Sequence, residues 1–542
     1  MAPGTPSALI VKTHGSRRRA IYVPSTPQLK PAWTGAVSGV LIGLSLAGPA
    51  WSVLAWPALL LWAVGIHVSQ DRRQEVACLA WGVWAWSGVG TVWVAAAVQD
   101  ASDPRLLWQW LTMLVSVLHH SVCVMLPWVP VRWSMGRGAT ARQRLAAWAI
   151  ALASGEAWRQ WGWAGHGYAS LAAPLSAVPG AALPLSLVGG LGLSAIGCGA
   201  AAVAARALLS PDHRGPRRMA AVAAVLLPML LAVPWRPTPS EASTHADGWQ
   251  VVALATHIDH GQASSRPGRD RQLAALDQAM QLAGAGQAVV TPETFFAEPP
   301  PQRAEGVWAD LLRQVDASGV TLLLGMPHAL YDETGLRIIN TALQLAPGRA
   351  SMYGKRRLVP GGEYLPWPTL MGWVDGRVFG RTLEGPSPAP EELVQSLLVA
   401  GHATGVLICH EMSFALEAAE RAADTEWLVV LSEDGWIDHP MYRQQMVALA
   451  RLRAMETGLP LLRVANGGPT LLALPDGQVQ RMWPMRGARI QPWPVVVPAG
   501  STASFYARSA APQWWLLALF PLVQALPAAF GHRAPWRRGV PA

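Results

Sequence analysis

Apolar runs of near-bilayer length crowd the first 235 residues and constrain this chain more than any other feature. A helix needs about 20 apolar residues to cross a bilayer core of ~30 Å. The runs fall at Trp33–Ala50, Ser52–Val68, Val76–Val98, Leu106–Trp128, Leu145–Trp163, Ser186–Leu208 and Met219–Trp235, with an eighth at Trp514–Phe530. Glu156 and Arg159 interrupt the fifth. A joint rich in Pro, Ser and Thr (Pro237, Pro239, Ser240, Ser243, Thr244) follows the seventh, and a stretch of ordinary soluble composition lies between it and the eighth. Composition agrees: 51% of the 542 residues are hydrophobic and 14% charged, where a soluble chain carries about a quarter charged. That balance excludes a disordered or collagen-like chain. Four cysteines without zinc-type spacing exclude a disulfide scaffold and predict no metal. No cofactor is expected either.

The fold class predicted is a polytopic α-helical membrane bundle of about eight spans with an inserted α/β domain. Its parts are an N-terminal tail (1–32), a seven-span bundle (33–235), a linker (236–247), the α/β domain (248–511), the eighth span (512–530) and a C-terminal tail (531–542). Arginines orient the bundle. Arg17, Arg18 and Arg19 precede the first span; Arg72 and Arg73 follow the second; Arg132, Arg137, Arg142 and Arg144 follow the fourth; Arg214, Arg217 and Arg218 follow the sixth; Arg533, Arg537 and Arg538 follow the eighth. Asp100 and Asp103 mark the loop after the third. The positive-inside rule then puts both termini in the cytoplasm and the α/β domain outside, which in a bacterial inner membrane is the periplasmic side. The formal charge of +9 divides in the same way: +11 in residues 1–245, −5 in 246–512 and +3 after 512. It is a topology signal, and nucleic acid is not an expected partner.

Within the α/β domain, strands are predicted at Gln250–Ala255, Ala288–Thr291, Thr321–Gly325, Ile338–Leu345, Gly405–Cys409, Trp427–Ser432 and Leu461–Ala465. Helices are predicted at Arg269–Leu282, Ala304–Val315 and Tyr442–Glu456, giving a layered domain. Cys409 is its one cysteine, the other three falling in spans, and Lys355 is the one lysine after Lys30. A cysteine closing the apolar run Val406-Leu407-Ile408 is either an inert core residue or, beside His410 and Glu411, a nucleophile. A lone lysine in an arginine-biased chain is either a surface residue or a point charge that the wide guanidinium fork cannot replace. Glu293 follows the run Ala288-Val289-Val290, and Glu363 lies eight residues beyond Lys355 across a Pro-Gly-Gly turn. A base, a cation and a thiol are the parts needed for acyl transfer through a thioester.

Glu, Lys and Cys in that order, in an α/β domain of this size, resemble the nitrilase or carbon–nitrogen hydrolase superfamily. The eight spans with the domain inserted before the last resemble the apolipoprotein N-acyltransferase family in particular. Leu358-Val359-Pro360 with Gly362-Glu363-Tyr364, the Cys409-x-Glu411 block, Ala450 to Glu456 with Pro460-Leu461-Leu462-Arg463, and Glu156, Arg159, Gly167 and Tyr168 in the membrane part carry the resemblance. It implies an αββα sandwich resting on the membrane, with Glu293 as general base, Lys355 as oxyanion stabiliser and Cys409 as nucleophile. It further implies a phospholipid acyl donor, a lipoprotein or other amine acceptor, and a monomer in the membrane. Glu363 and Glu411 match further acidic positions, as supports of the site or as structural hydrogen bonds to loops. Tyr364, Trp436, Glu156 and Arg159 are substrate-side candidates, the last two also read as an ion pair one turn apart.

His119 and His120 are functional candidates because they lie in a span, or inward-facing helix contacts. Tryptophans near span ends suit an interfacial belt. Several positions depart from the family: His410 stands for its Tyr, Glu433-Asp434 for Asn-Asp before Trp436, Gly361-Gly362-Glu363 for Phe-Gly-Glu, Asn466-Gly467-Gly468 for Asn-Asn-Gly, and Thr256-His257-Ile258-Asp259 for a Gln-containing pattern. These departures would suit a conjugal-transfer TraB-type paralogue acylating a different acceptor. The same triad would also serve a membrane-tethered carbon–nitrogen amidohydrolase, and a structural component of a secretion apparatus is the non-enzymatic alternative.

Overall fold

The computed structural model describes residues 30–97, 106–161, 165–209, 215, 223, 248–258, 265–301, 305–333, 335–364, 385–481 and 490–529. The expected span Met219–Trp235, but for one residue, lies outside that set, as do Arg17 to Arg19, linker 236–247 and the C-terminal tail.

The membrane half is helical: α1 Pro31–Ser45, α2 Ala55–Val68, α3 Arg72–Gly90, α4 Leu106–Ser134, α5 Ala141–Trp158 and α6 Ala182–Leu209. Polar residues set the starts. Asp71 accepts the Gln74 N–H at the head of α3, and Thr140 with Gln143 forms a reciprocal capping box on α5. Glycines set the closest packing. Gly35 and Gly39 of α1 lie against Cys78 and Gly82 of α3 so tightly that an added Cβ would collide with those carbonyl oxygens, the small-xxx-small contact of membrane helices. Outward, α4 shows Leu114, Leu118, Val122, Leu126, Val129 and Trp133, spaced three or four apart and exposed up to 71% at Trp133. A continuous exposed apolar stripe is what a helix turns towards lipid. Inward, the same helix buries Arg132, paired with Glu75 of α3 at 2.6 Å.

Where eight spans were expected, three of the described helices are long and apolar enough to cross a membrane: Pro49–Val68, Met113–Ser134 and Ala182–Leu209. The reasons are local. α1 has 15 residues and stops before the Gly48-Pro49 break; α3 opens on Arg72, Arg73 and Glu75 and ends at Gly90; α5 begins with Arg142 and Arg144 and ends at Trp158.

The other half is a 12-stranded sheet. Its strands are β1 Gly248–Thr256, β2 Ala288–Val290, β3 Thr321–Asp332, β4 Gly335–Ala346, β5 Arg349–Gly354, β6 Leu397–Val399, β7 His402–Ile408, β8 Trp427–Glu433, β9 Leu461–Asn466, β10 Leu471–Ala473, β11 Val479–Arg481 and β12 Ile490–Pro498. They fall into two runs, β12-β1-β2-β3-β4-β5 and β11-β10-β9-β8-β7-β6, joined by the one pair Thr256–Asn466. Side-chain alternation sorts the layers. Val251 and Ala253 of β1 share a core with Val406 and Ile408 of β7 and Val429 of β8. Val252 and Leu254 face helices α7 (Arg266–Leu282) and α8 (Val307–Ser318). On the far side Leu407, Leu428 and Val430 pack with α9 (Ala415–Ala422) and α10 (Pro440–Thr457). That far core runs without interruption into Trp62, Trp86 and Trp148 of the membrane bundle, so the sheet layers are seated on the helices. The last helix, α11 (Phe505–Ala529), starts seven residues before the expected boundary at 512 and packs along α4, α5 and α6.

Candidate active site

Parallel strands β2, β7 and β8 end on one edge of the sheet; Glu293 and Cys409 follow the first two, and Glu433 closes the third with Asp434 after it. The carboxyl ends of parallel strands are where chain reversals leave room for a ligand. Glu293 leaves β2 through Thr291, whose hydroxyl accepts the Gly325 N–H at 3.0 Å. Gly325 must be glycine, because a Cβ there would strike the Pro292 carbonyl and Glu293 Cα. Lys355 follows β5 directly and is fixed by its own backbone, its N–H donating to the Asn340 carbonyl at 2.8 Å and its carbonyl accepting from Ala389 at 2.9 Å.

Side chains then converge. Lys355 Nζ donates to Glu293 Oε1 at 2.8 Å and to Glu363 Oε1 at 2.7 Å. Asn340 Nδ2 also donates to Glu293 Oε1, at 2.6 Å, and the Glu433 N–H donates to its Oε2 at 2.8 Å. Glu363 Oε2 accepts from Val359 N at 2.7 Å, closing the Pro-Gly-Gly turn around the lysine. All three triad candidates are buried, Lys355 at 1% and Glu293 at 4% exposure. Burial pushes the Glu293 carboxyl above its ordinary value against the pull of Lys355. Burial alone would lower Lys355, but Glu293, Glu363 and Cys409 together raise it well above the usual lysine value, so the ammonium stays charged. The Cys409 thiol is pushed well up, first by burial and then by Glu293, with Lys355 opposing. At rest the sulfur therefore keeps its proton, and a base must take it.

Among the described residues, Cys409 is one of four non-glycine residues with positive φ, at 50°. That conformation costs on the order of 1–3 kcal/mol and persists only where the surroundings over-determine it. Cys409–Ser413 form a 3₁₀ turn, and Glu411 clamps it. Its Oε2 accepts from Ile408 N at 2.8 Å and Tyr353 Oη at 2.9 Å, while its Oε1 accepts from Arg356 N at 2.7 Å and Arg357 N at 3.2 Å. Burial and the neighbouring Glu417 push the Glu411 carboxyl up to about 7, with the three backbone donors pulling the other way. Its geometry is that of a brace between the cysteine turn and the lysine loop.

From the other side the membrane half supplies the floor. Gly167 N donates to Ser413 Oγ at 3.2 Å and Ala415 N donates to Gln160 Oε1 at 2.9 Å. A Cβ at Gly167 would overlap the Ser413 carbonyl. Gly167→Ala is therefore expected to cost about 1–3 kcal/mol of stability through overpacking. A melting curve in detergent indistinguishable from that of the parent would contradict this.

The remaining candidates are more distant. Glu156 and Arg159 form a fully buried ion pair of 2.9 Å inside the bundle, and Arg159 Nη1 bonds the Tyr168 carbonyl. Their link to the triad is indirect, through Tyr168 and the cysteine turn. Trp436 is half-buried with its indole N–H on the Glu433 carbonyl at 2.6 Å, beside Gly362. Tyr364 accepts at its carbonyl from Gly361 N at 2.8 Å, and burial pushes its phenol to about 12. The sequence reading missed Asn340, Tyr353 and the network in which buried Arg463 binds Asp434 at 2.7 Å while Tyr442 donates to the same carboxylate at 2.9 Å. Asn340 shares its strand with the polar Thr341 and Gln344, so nothing in the sequence singles it out. Among the described residues no group of three or more His, Cys, Asp or Glu could hold a metal.

Comparison with known proteins divides the chain at the same joint. Residues 252–490 match the Carbon-nitrogen hydrolase family, and residues 38–203 match the Apolipoprotein N-acyltransferase N-terminal domain. Among similar proteins, the apolipoprotein N-acyltransferase of Pseudomonas syringae pv. tomato is 27% identical over 472 residues, covering 83% of this chain and 88% of its own. That of Ralstonia nicotianae is 26% identical over 494 residues (86% and 88%), and that of Pseudomonas aeruginosa PAO1 28% over 487 (84% and 88%).

Proposed function

The chain belongs to the apolipoprotein N-acyltransferase family, and from that membership we propose a two-step acyl transfer run by Glu293, Lys355 and Cys409. The enzyme is an N-acyltransferase of the bacterial inner membrane, and its acceptor is a lipoprotein. The observation that carries the residue roles is a lysine held at 2.8 Å from Glu293 and 2.7 Å from Glu363, on the sheet edge where the buried Cys409 follows β7.

In the first step the Glu293 carboxylate takes the Cys409 proton, and the thiolate attacks an ester carbonyl carbon of a phospholipid, forming the C–S bond. Charge on the carbonyl oxygen is met by the Lys355 ammonium, already in place and shielded from water. Collapse breaks the C–O bond, Glu293 returns its proton to the departing alkoxide, and a lysophospholipid leaves. In the second step the free α-amine of a diacylglyceryl-cysteine attacks the thioester, Glu293 takes its proton, the C–S bond breaks and the thiol is restored. The amide formed is the N-acyl lipoprotein. A dry, buried site favours the amine over water.

The donor is assigned to phospholipid because the site is seated on helices whose outer stripe faces lipid. We assign eight spans, with both termini cytoplasmic and the triad facing the periplasm, from the alternation of arginine-rich loops. Glu363 holds the lysine and Glu411 the cysteine turn; Tyr364 and Trp436 are assigned to the rim of the pocket. The test is reconstitution: purified protein with phosphatidylethanolamine and a synthetic diacylglyceryl peptide should yield N-acyl peptide, and Cys409→Ala should yield none. Product from Cys409→Ala would defeat the assignment.

The rate should also carry the base's titration. Glu293 works only when ionised, so the rate rises with pH through its pKa. Since that pKa is raised, the acid limb should lie above the 4.5 of an ordinary glutamate. A rate flat from pH 4.5 to neutrality would contradict Glu293 as base.

A further inference from the structure

His410 follows the nucleophile directly and is buried, with both ring nitrogens turned towards the membrane half. Nδ1 lies 3.0 Å from the Tyr168 hydroxyl and Nε2 lies 3.4 Å from the Gly165 carbonyl. A carbonyl only accepts, so Nε2 carries the proton and Nδ1 is left to accept from Tyr168. Burial, with Lys355 adding to it, takes the imidazole down to about 3; it remains neutral and keeps that tautomer. Tyr168 is held in turn. Its ring meets Trp93 edge-on at 5.0 Å, and its carbonyl is bound by Arg159, which is locked to Glu156. A continuous chain of contacts thus runs from an ion pair inside the bundle to the peptide that His410 shares with Cys409.

We propose that Tyr168 and His410 are a positioning pair through which the membrane bundle holds the Cys409 turn in its left-handed conformation and so aims the thiol. The proposal rests on the acyl-transfer reading above. The hydrogen bonds of the two side chains run to each other and to the Gly165 carbonyl, and not to Glu293, Lys355 or Cys409. An imidazole beside a nucleophile is ordinarily the first candidate for its base; here its acceptor nitrogen is engaged by Tyr168, and Glu293 keeps that role. The pair ties two places 242 residues apart in sequence.

The test uses full-length protein in detergent with phosphatidylethanolamine as probe. The readouts are the rate of thioester formation on Cys409 and the phospholipid concentration giving half that rate. Tyr168→Phe keeps the ring and its Trp93 contact but removes the hydroxyl. It should slow thioester formation about ten-fold, the effect of one lost hydrogen bond, with half-saturation unchanged. His410→Phe should be at least as slow, and the double variant no slower than His410→Phe alone, because the pair is already broken. His410→Asn, which restores an acceptor near Nδ1, should recover part of the rate. The acid limb of the pH profile should stay put in all of them. Effects that multiply in the double variant, a change confined to half-saturation, or an acid limb displaced by His410→Phe would each overturn the proposal. If the parent protein itself formed no thioester, the acyl-transfer reading would fall first, and the positioning pair with it.

Discussion

Lys355→Met is expected to reduce acyl transfer by about 10²–10³-fold in kcat, the usual loss when one preorganised donor to an oxyanion is removed. Two consequences are bundled in that substitution, and a second variant separates them. Removing the ammonium takes away the charge that meets the tetrahedral intermediate. It also strands Glu293 and Glu363, each within 2.8 Å of Nζ. Breaking a buried ion pair by deleting one partner costs about 3–5 kcal/mol, less here to the extent that Glu363 is partly exposed at 18%. Lys355→Arg keeps the positive charge and should retain most of the stability. Its wide fork cannot place a compact charge between two carboxylates, so activity should stay low. Measuring N-acyl peptide formation and the melting temperature on both variants decides the matter. A stable, active Lys355→Arg protein would show that charge alone suffices and that a compact ammonium between the two carboxylates is not required.

Glu293→Gln should abolish the first step almost as completely, by about 10²–10⁴-fold, the range of a lost general base. The amide cannot be accommodated quietly. Oε1 faces two donors, Lys355 Nζ and Asn340 Nδ2, and Oε2 faces the Glu433 N–H. Whichever way the glutamine flips, its NH₂ meets a donor, leaving one buried group unmet at about 1–3 kcal/mol. The flip that sets NH₂ against the Glu433 N–H is favoured, since it preserves the two bonds at Oε1. The acid limb of the rate should vanish in whatever activity remains. A glutamine variant with the parent's pH profile would show that another group takes the thiol proton.

Much of this site was legible because each triad residue punctuates an apolar run. Glu293 closes Ala288-Val289-Val290, Cys409 closes Val406-Leu407-Ile408, and Lys355 stands out through the rarity of lysine. What stayed hidden was contributed from afar. Asn340 reaches Glu293 across 47 residues and Tyr168 reaches His410 across 242, distances at which periodicity carries no information. The edge strand β12 was missed for a different reason. Pro492 and Pro494 lie in it, opposite Leu254 and Val252, and prolines argue against a strand unless it sits at a sheet's edge, where their missing N–H is tolerated. Hydropathy likewise overshot the helices. The run Leu145–Trp163 continues past the point where α5 ends at Trp158, because Arg159 closes the helix at its C-cap and turns onto Glu156. Composition sees an apolar run, whereas the fold uses its two charges as an internal tie.

Cys409 should receive an acyl chain from phospholipid as a thioester before any acceptor is present. This is tested most directly by incubating the purified protein with phosphatidylethanolamine carrying a tagged acyl chain, without acceptor, and locating the tag by mass spectrometry of peptides. One tag is expected, on the peptide containing Cys409, released by neutral hydroxylamine and discharged onto a diacylglyceryl peptide when that is added. A protein that acylates the peptide while Cys409 stays unmodified, or a hydroxylamine-stable tag on another residue, would contradict it.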